Sequence, residues 1–414
     1  MENKSENIKP GYKLTKLGWI PEEWEVVRYD EITIIRVGRD LMKEYFSEEK
    51  KEEYCYPVYS NTVDNNGIYG YYNLQEYSGD AVTIVGRGVG LGTAFHKSGG
   101  FGAIGRLLVL FPKDGCDSRF LTYYTNYKVR FFVESSGIPQ LTGVQLATYN
   151  LALPPIKEQQ KIARILSTWD KAIETTEQLI QAKTRLKKGL MQQLLTGKSR
   201  FPAFAKASVC EKEVEGEGWV ERSIKEIGHV ISGGTPDTTN EDYWNGNINW
   251  CTPTDITALN GRKYLGEIRT KISESGYKNS SATLLPIFSI IICTRATIGD
   301  CALNTVPMTT NQGFKSIIPK NVDPEFLYYL MIVNKSRLKK LGAGSTFMEV
   351  SKRDFEKIKL TMPQNIDEQI KIRKSISSID QEIDLSNKQF THLKMQKIGL
   401  MQKLLTGEVR VKTN

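Results

Sequence analysis

The chain carries one segment twice. Residues 157–200 recur as residues 367–410, 210 positions further on, and a gap-free alignment gives 17 identities in 44 positions. Each copy ends in nearly the same phrase, GLMQQLLTGKSR from Gly189 and GLMQKLLTGEVR from Gly399. A repeat on this scale indicates that the chain consists of two similar halves, which constrains the fold before any helix or strand is assigned.

Both copies of the repeat have apolar residues at the spacing of an α-helix, in one shared register. In the first copy these are Ile162, Leu166, Trp169, Ile173, Ile180, Leu190 and Leu194, and in the second Ile372, Ile376, Ile379, Ile383, Phe390, Leu400 and Leu404. Prolines precede the runs at Pro155 and Pro363, and glycines follow at Gly197 and Gly407, as is typical of helix starts and ends. The pattern predicts two long helices that pair with each other as an antiparallel coiled coil. The alternative is that each apolar stripe packs only on its own neighbouring domain.

The stretches before the two helices also resemble each other, although more weakly. Trp24 and Trp219 each stand eight residues before an isoleucine, and RFLTYY at 119–124 matches EFLYYL at 325–330. Short β-rich runs alternate with turns rich in glycine and asparagine, which indicates an α+β class for both stretches. The predicted order is a tail with a first domain at 1–155, a first long helix at 156–197, a linker at 198–215, a second domain at 216–362, a second long helix at 363–407 and a tail at 408–414.

Composition is that of a globular protein without a membrane anchor. Of the 414 residues, 40% are hydrophobic and 25% charged, and no stretch approaches the roughly 18 continuous apolar residues of a membrane span. We therefore expect a cytoplasmic protein. The six cysteines include no C-x-x-C pair, and only three histidines could complete a zinc site, so we expect reduced thiols and no bound metal. The net charge of +9 favours a polyanionic partner.

The familiar catalytic motifs fail when their spacing is tested. Gly197-Lys198-Ser199 looks like the end of a phosphate-binding loop, but Gln192 stands where the motif needs glycine, and the triplet ends a helix. The run GRGVGLG at 86–92 does not satisfy the dinucleotide-binding pattern. The single Pro-Pro pair lacks the flanking residues of an adenine-flipping methyltransferase. The sequence also contains few residues from which a nucleophilic catalytic triad could be built. We therefore assign no catalytic residue and no metal ligand, and predict a binding function.

Three motifs together carry a family resemblance: GWIPEEWEVVRYDEI near the start, LALPPIKEQQKIARILSTWDKAIE at the first long helix, and the doubled GLMQ-LLTG. Over nearly its whole length the chain resembles the specificity subunit of a type I restriction–modification system. The resemblance implies two target-recognition domains separated by two spacer helices, which form an antiparallel coiled coil about a pseudo-twofold internal repeat. The two domains match the family only in outline, as expected if each diverges with the DNA sequence that it reads.

The resemblance also implies a division of labour among several chains. Each target-recognition domain would read one half of a bipartite target in double-stranded DNA, and the spacer helices would dock two modification (methyltransferase) subunits. Restriction (translocase and nuclease) subunits are a further implied partner, whose presence the sequence leaves open. S-adenosylmethionine, ATP and Mg²⁺ would act in the partner subunits. This chain is therefore expected to bind no cofactor and to have no enzymatic activity of its own.

The length of the helices predicts the spacing of the target. About 30 paired residues at 1.5 Å each span roughly 45 Å, or about 13 base pairs. Two readers on one face of DNA prefer centres about 10–11 base pairs apart. We therefore expect half-sites of about three to five base pairs, separated by about five to eight.

The helical segments carry most of the positive charge. Residues 156–200 contain ten Lys/Arg against four Asp/Glu, and residues 366–410 contain eight against six, which accounts for +8 of the total of +9. Three explanations are open: contact with phosphates of the gap between half-sites, contact with acidic patches on partner subunits, or simple solvation.

Base readout requires hydrogen-bonding side chains that can enter a groove, with Arg suited to guanine, Asn and Gln to adenine, and Ser or Thr to either. Candidates in the first domain are Ser60, Asn61, Thr62, Arg87, Gln140 and Thr142. Candidates in the second domain are Thr235, Thr252, Thr254, Arg295, Asn311 and Gln312. For each of them, a structural role in capping a turn is an equally good explanation.

The spacer helices supply the candidates for docking the modification subunits. These are Lys187, Lys188, Leu190, Leu194, Leu400 and Leu404. Two other functions stay open at this point. A DNA-modifying enzyme with unrecognised motifs would methylate or cleave DNA alone, and a coiled-coil scaffold without sequence preference would leave no specific footprint on DNA.

Overall fold

The computed structural model describes residues 10–132, 139–205, 218–343 and 349–413. It divides into two compact units: unit 1 comprises Met1–Glu177 and Lys388–Asn414, and unit 2 comprises Gln178–Asn387. Each unit therefore includes part of both long helices. Within the described ranges, no helix is long and apolar enough to cross a membrane.

Unit 1 is built mainly from short strands. These are β1 (Tyr12–Thr15), β2 (Gly18–Pro21), β3 (Glu25–Arg28), β4 (Thr33–Val37), β5 (Phe46–Ser47), β6 (Tyr56–Tyr59), β7 (Ile68–Tyr72), β8 (Ala81–Ile84), β9 (Ala94–Lys97), β10 (Gly102–Ala103), β11 (Leu108–Pro112) and β12 (Asn150–Leu153). The helices are α1 (Tyr29–Ile32), α2 (Ser118–Lys128), α3 (Gly143–Ala147) and the first part of the long helix α4 (Ile156–Leu194).

The main sheet of unit 1 has the strand order β4-β11-β8-β9, and all neighbouring strands are antiparallel. Strand β8 is buried along its whole length, because its residues AVTI are apolar apart from one threonine. Helix α2 packs on β8 and β9. It begins at Asp117, whose carboxylate accepts a hydrogen bond from the amide of Phe120 (2.9 Å) and so caps the first turn. A second sheet has the order β10-β6-β7-β5.

Unit 2 has a similar set of elements. Its strands are β13 (Trp219–Ser223), β14 (Gly228–Ser232), β15 (Trp244–Cys251), β16 (Tyr264–Leu265), β17 (Lys271–Ile272), β18 (Ile290–Cys293), β19 (Cys301–Asn304), β20 (Met308–Thr310), β21 (Phe314–Pro319) and β22 (Lys359–Pro363). Its helices are α5 (Pro202–Ala205), α6 (Ile224–Ile227), α7 (Pro253–Ala258), α8 (Glu274–Lys278), α9 (Pro324–Val333), α10 (Lys335–Ala343), α11 (Lys352–Glu356) and the first part of the long helix α12 (Ile366–Leu404).

The topology of unit 2 repeats that of unit 1. Its main sheet, β14-β21-β18-β19-β16, contains counterparts of β4, β11, β8 and β9 and adds one edge strand. The pairing of β13 with β22 likewise repeats that of β3 with β12. Asp323 caps α9 by accepting a hydrogen bond from the amide of Phe326 (2.8 Å), as Asp117 caps α2. The predicted α+β class and internal repeat are confirmed.

In unit 1, the first half of α4 pairs with the second half of α12. Lys397 of α12 forms an ion pair with Asp170 of α4. Near the end of α12, Leu404 and Leu405 lie in the same buried core as Ile162 of the first turns of α4. Because the end of one helix lies beside the start of the other, the pair is antiparallel.

Unit 2 repeats this pairing with the roles of the helices exchanged. Lys187 of α4 forms an ion pair with Asp380 of α12 (2.5 Å). Leu194 and Leu195, at the end of α4, share a buried core with Ile372 of α12. The predicted antiparallel pairing of the two long helices is thus confirmed. The first and last turns of each long helix also pack into the core of a neighbouring domain. Packing of each apolar stripe on a neighbouring domain, the alternative considered above, therefore applies only to these terminal turns.

Each long helix is followed by a glycine turn and then by an arginine that returns to the other helix. The two glycines, Gly197 and Gly407, both have a φ of 71°, in the left-handed region expected just after the end of a helix. In unit 1, Arg410 donates hydrogen bonds to both carboxylate oxygens of Glu158 (2.8 and 2.9 Å). In unit 2, Arg200 does the same to Glu368 (2.9 and 2.8 Å). These two contacts fix the helix ends in the same way in both units.

The helix boundaries differ slightly from the predicted ones. Helix α4 ends at Leu194 and α12 at Leu404, three residues before the predicted ends, because the left-handed glycines lie beyond the last helical turn. Helix α12 begins at Ile366, since the predicted start belongs to strand β22. Of the predicted linker, residues 198–205 contain the short helix α5, and the rest lies outside the described residues.

Candidate nucleic-acid interface

All six base-reading candidates of the first domain lie in neighbouring loops of unit 1. Asn61 links three of these loops, because its Oδ1 accepts a hydrogen bond from the amide of Gly86 (2.8 Å) and its Nδ2 donates to the carbonyl of Gly105. The backbone of Arg87 forms an isolated antiparallel β-bridge with the backbone of Gln140. The structure therefore brings together side chains that are up to about 80 positions apart in the sequence.

Three of these six side chains have structural partners. Asn61 holds the loops together, as described above. Thr62 accepts a hydrogen bond from the amide of Asp64 (3.2 Å), and Thr142 caps α3 by accepting one from the amide of Gln145 (3.2 Å). Turn capping, which the sequence offered as the alternative explanation, therefore accounts for the position of both threonines.

The other three side chains are available for an external ligand. Among the described residues, Ser60, Arg87 and Gln140 form no side-chain hydrogen bond or ion pair that anchors them. Arg87 is exposed and is followed by a turn in which Gly88 and Gly90 have positive φ values of 84° and 85°. A guanidinium at the edge of such a turn can be presented to the major groove without a bulky neighbour.

The six candidates of the second domain are also brought together, in unit 2. The amide of Val350 donates to the carbonyl of Thr294 (3.2 Å), just as the amide of Leu141 donates to the carbonyl of Gly86 (2.7 Å) in unit 1. Arg295 therefore occupies the position that corresponds to Arg87. The residue opposite it, which corresponds to Gln140, is Glu349.

Arg295 is held by that glutamate. Its Nη2 lies 2.6 Å from Oε2 of Glu349, and the buried Lys315 approaches the other carboxylate oxygen at 3.4 Å. Burial opposes ionisation of Glu349, but the hydrogen bond from Arg295 and the charges of both cations lower its pKa. The carboxylate is therefore charged, its charge is balanced by the two cations, and the Arg295 guanidinium is held in a defined orientation. Neither Glu349 nor Lys315 belongs to a motif or periodic pattern that would identify it from sequence.

The remaining candidates in unit 2 have mixed roles. Thr235 donates to the side-chain oxygen of Gln312, and Asn311 accepts from the amide of Gly313 (2.9 Å). Thr252 caps α7, since Asp255 accepts hydrogen bonds from both its amide (2.8 Å) and its hydroxyl (2.7 Å). The remaining candidate, Thr254, lies on the first turn of α7 and is exposed.

A buried lysine that sequence reasoning missed supports the first of these loops. Lys97 is 5% exposed, donates a hydrogen bond to the carbonyl of Asn66 (2.6 Å) and lies 3.7 Å from the centre of the Tyr59 ring. Burial lowers the pKa of Lys97 to about 8. Tyr59 and Asn66 flank the loop that carries Ser60, Asn61 and Thr62, so Lys97 positions that loop.

The candidates for partner docking fall into two groups. Leu194 and Leu404 are 5% and 4% exposed and lie in the cores of their own units, so their side chains are covered within this chain. Lys187 is engaged in its ion pair with Asp380. Lys188 is exposed. Leu190 and Leu400 are half-buried, because each packs against the core of its own unit and keeps only part of its side chain at the surface.

Further exposed apolar side chains lie on the long helices. On the part of each helix that belongs to unit 2, Leu186 is 60% and Leu385 64% exposed, and in unit 1 Ile398 is 60% exposed. The sequence analysis did not single them out. No group of three or more His, Cys, Asp or Glu side chains suited to a metal occurs within the described ranges, and the five described cysteines are free thiols.

Known proteins share this arrangement of two similar units. A family model of the type I restriction modification DNA specificity domain matches the chain twice, over residues 21–183 and 216–395. The MjaVIII type I restriction enzyme specificity subunit of Methanocaldococcus jannaschii is 26% identical over 435 residues, with 99% of this chain and 97% of the relative covered. The MjaIX specificity subunit of the same organism is 37% identical over 174 residues, 41% of this chain and 40% of the relative.

A solved structure shares the fold. The S subunit of a type I restriction–modification system from M. genitalium superimposes with a TM-score of 0.62 at 17% identity, over 96% of this chain and 99% of that chain. The two matches of the family model together span most of both halves of the sequence. On these grounds the chain belongs to the type I restriction–modification DNA specificity family.

Proposed function

We propose that this chain is the sequence-reading subunit of a type I restriction–modification complex. Each recognition domain reads one half of a bipartite DNA target, while the two long helices separate the half-sites and dock two modification subunits. Restriction subunits join the same assembly. The chain itself catalyses no reaction, and S-adenosylmethionine, ATP and Mg²⁺ are used by its partners in the cytoplasm.

One observation carries the proposal of two readers. Both units present an arginine at the same position, Arg87 and Arg295, on the loop that follows equivalent strands of equivalent sheets. An arginine can bind guanine through two hydrogen bonds, a contact that distinguishes it from the other bases. A chain that doubles its fold and keeps a cation at both positions, yet differs in the residues around them, is suited to read two different half-sites.

The different surroundings of the two arginines support different half-sites. The backbone of Arg87 pairs with that of Gln140, a residue with a neutral side chain, whereas the side chain of Arg295 is held by the carboxylate of Glu349. Gln140 can itself pair with adenine, while Glu349 can accept a hydrogen bond from the amino group of cytosine. The two domains therefore offer different hydrogen-bonding groups to the DNA from the same framework.

The long helices have features of a docking surface. Gly189 and Gly399 occupy the same position in both copies, inside a helix, where glycine costs roughly 1 kcal/mol relative to alanine. No atom lies within 4 Å of the place where a side chain would begin at either position. A flat, bare stretch of helix next to the exposed Lys188 and the half-buried Leu190 would let a modification subunit approach the backbone closely. The repeat supplies one such surface for each of two subunits.

The test is a pair of matched substitutions in the complex with modification subunits. Arg87→Ala should relax base preference in one half-site, and Arg295→Ala should relax it in the other. Each loss is expected to be about 1–3 kcal/mol, or about 5- to 150-fold in discrimination at the affected base pair. Sequencing of methylated DNA from cells that express each variant measures both half-sites at once.

Each variant serves as the control for the other. Equal loss in both half-sites for either substitution would contradict the assignment of one reader to each half. A continuous target, or a gap far outside about five to eight base pairs, would contradict the separation of the half-sites by the helices. Methyl transfer or cleavage by the purified chain alone would contradict its role as a binding subunit.

A further inference from the structure

Two equivalent clusters of three side chains join the recognition domains to the paired helices. In unit 1, Asp170 of α4 accepts a hydrogen bond from the hydroxyl of Tyr123 (2.5 Å) and forms an ion pair with Lys397 of α12. Tyr123 belongs to α2, the helix that packs on the main sheet. One carboxylate on α4 therefore joins this helix to two other elements, α2 of the domain and the second long helix α12.

Unit 2 contains the same cluster with the two helices exchanged. Asp380 of α12 accepts a hydrogen bond from the hydroxyl of Tyr329 of α9 (2.5 Å) and pairs with Lys187 of α4 (2.5 Å). The lysine and aspartate positions are both 210 residues from their counterparts, as in the sequence repeat. These are the Tyr–Asp–Lys clusters.

The clusters are semi-enclosed, which makes their polar contacts specific. The side chains of Lys397 and Lys187 are 19% and 26% exposed, and those of the aspartates Asp170 and Asp380 are 45% and 23% exposed. The Tyr329 side chain is fully buried. Burial and the neighbouring carboxylate raise the pKa of both Tyr123 and Tyr329, so each hydroxyl keeps its proton and acts as a donor. An aspartate placed elsewhere along the helix would lose both of its partners.

Apolar packing alone does not fix how two long helices slide past each other. A shift by one heptad keeps apolar residues in the seam, whereas polar residues within it select a single alignment. The ion pair between Arg410 and Glu158, the other contact that joins the two helices in unit 1, agrees with the alignment set by the cluster. Glu158 lies twelve residues before Asp170 on α4. Its partner Arg410 lies thirteen residues after Lys397, just beyond the end of α12. Both links therefore require the same register.

We propose that the two Tyr–Asp–Lys clusters set the register of the paired helices and the attachment point of each recognition domain, and thereby select the length of the gap between half-sites. This inference rests on the proposed function, because it presupposes a bipartite target. It differs from a helix length alone setting the gap, since side chains at two positions choose among the alignments that the apolar seam permits.

The experiment uses the full chain in complex with its modification subunits. The native gap is first determined by sequencing methylated DNA. Binding is then measured for duplexes that carry both half-sites at the native gap and at gaps one base pair shorter and longer. The ratio of affinities for the native and altered gaps is the quantity of interest, because a general loss of stability lowers all affinities together.

Asp170→Lys places two lysines opposite each other in the native register. We expect it to lower the preference for the native gap by about tenfold, since like charges in contact disfavour that alignment. Combining it with Lys397→Asp restores an attractive pair between the helices and should recover most of the loss caused by Asp170→Lys, although Tyr123 stays without its carboxylate acceptor. Glu177→Lys, an exposed position on the same helix with no ion pair among the described residues, makes the same change of charge and should leave the preference unaltered.

A milder variant guards against loss of assembly. Tyr123→Phe removes only the hydroxyl and is expected to lower the gap preference several-fold. Unit 1 is the better place for this test, because the second partner of the Tyr123 hydroxyl is the neutral Ser167 (3.3 Å), whereas Tyr329 in unit 2 accepts a hydrogen bond from the charged Lys263 (3.2 Å). If Asp170→Lys does not assemble, the result for Tyr123→Phe decides.

The outcomes are distinct. An unchanged ratio in Asp170→Lys or Tyr123→Phe, with weaker binding at every gap, would show that the clusters only stabilise the fold and would overturn the proposal. A charge swap with a gap preference no better than that of Asp170→Lys alone would overturn it as well. If the unaltered complex has no preferred gap, the proposed function itself fails. If it has one that all variants keep, only the present inference fails.

Discussion

Arg410 holds Glu158 through two parallel hydrogen bonds, although 252 residues separate them in the sequence. Glu158 is 2% exposed and also accepts a hydrogen bond from the indole nitrogen of Trp24 (3.1 Å). In unit 2 the same arrangement joins Arg200 to Glu368. A buried carboxylate that depends on a cation from the far end of a helix makes the helix ends part of the domain core.

Removal of either arginine should destabilise its unit. Arg200→Ala leaves Glu368 buried at 1% exposure without its cation, and the loss is expected to be about 3–5 kcal/mol. Arg410→Ala should cost less, because the Arg410 side chain is 36% exposed whereas that of Arg200 is 18% exposed. Denaturant unfolding of the purified chain measures both. The exposed Lys198→Ala, a neighbour on the same turn, should change stability by less than about 0.5 kcal/mol.

The glycines of the helix ends and those of the helix interiors should respond in opposite directions to alanine. Gly407→Ala forces a side chain into the left-handed region, with its Cβ 2.4 Å from Cγ of Pro21, and should cost about 2–4 kcal/mol. Gly399→Ala places a methyl group where no atom lies within 4 Å and should stabilise the isolated chain by about 0.5–1 kcal/mol.

The second of these substitutions also tests docking. If a modification subunit approaches the bare helix at Gly399, the stabilised variant should bind that subunit more weakly, as measured by titration of the two purified proteins. Unchanged affinity would argue against close approach of a partner at this position.

Asn61 and Ser60 should separate stability from DNA binding. Asn61→Ala leaves the buried amide of Gly86 without its acceptor, so a loss of about 1–3 kcal/mol in the free energy of unfolding is expected. Ser60→Ala should change that free energy by less than about 0.5 kcal/mol. It should nevertheless weaken binding to DNA through one half-site only. Equal thermal stability of the two variants would contradict the structural role of Asn61.

Lys97 should make the stability of unit 1 depend on pH. Folded Lys97 loses its proton near pH 8, whereas the unfolded chain keeps it up to the ordinary lysine pKa of 10.5. Between these values the unfolded state binds more protons, so stability rises with pH. The charged lysine therefore carries a cost below pH 8 that disappears as the pH rises.

Lys97→Met removes this pH-dependent contribution. From about pH 7.5 to about pH 9.5, the stability of the natural chain relative to the variant should rise by about 2 kcal/mol. Urea unfolding of both proteins at the two pH values measures the difference. A difference that stays constant with pH would show that Lys97 is not desolvated in the folded chain.

The repeat and the helices were predictable from sequence because they depend on local, periodic signals. The apolar spacing gave both long helices, and the glycines at the ends were correctly interpreted as caps instead of parts of a phosphate loop. What could not be predicted was the role of individual amides and ions.

Asn61 and Glu349 show why. Asn61 was selected for its ability to read adenine, but its amide bonds two glycines that are 25 and 44 residues away. Glu349 contacts Arg295 across 54 residues and belongs to no periodic pattern. Such contacts depend on how distant loops meet in space. The division of each long helix between two units was hidden for the same reason, because a helix reads as one continuous segment in the sequence.

That division has a consequence for how the chain is made on the ribosome. Unit 2 is one continuous stretch, Gln178–Asn387, whereas unit 1 needs the last residues, Lys388–Asn414. Glu158 has no cation until Arg410 has been synthesised. The amino-terminal half therefore cannot complete this ion pair until Arg410 has left the ribosome. In a nascent chain of this kind, all residues of unit 2 are available before those of unit 1 are complete. Unit 2 can therefore finish folding first, the reverse of the usual order in which amino-terminal domains fold first.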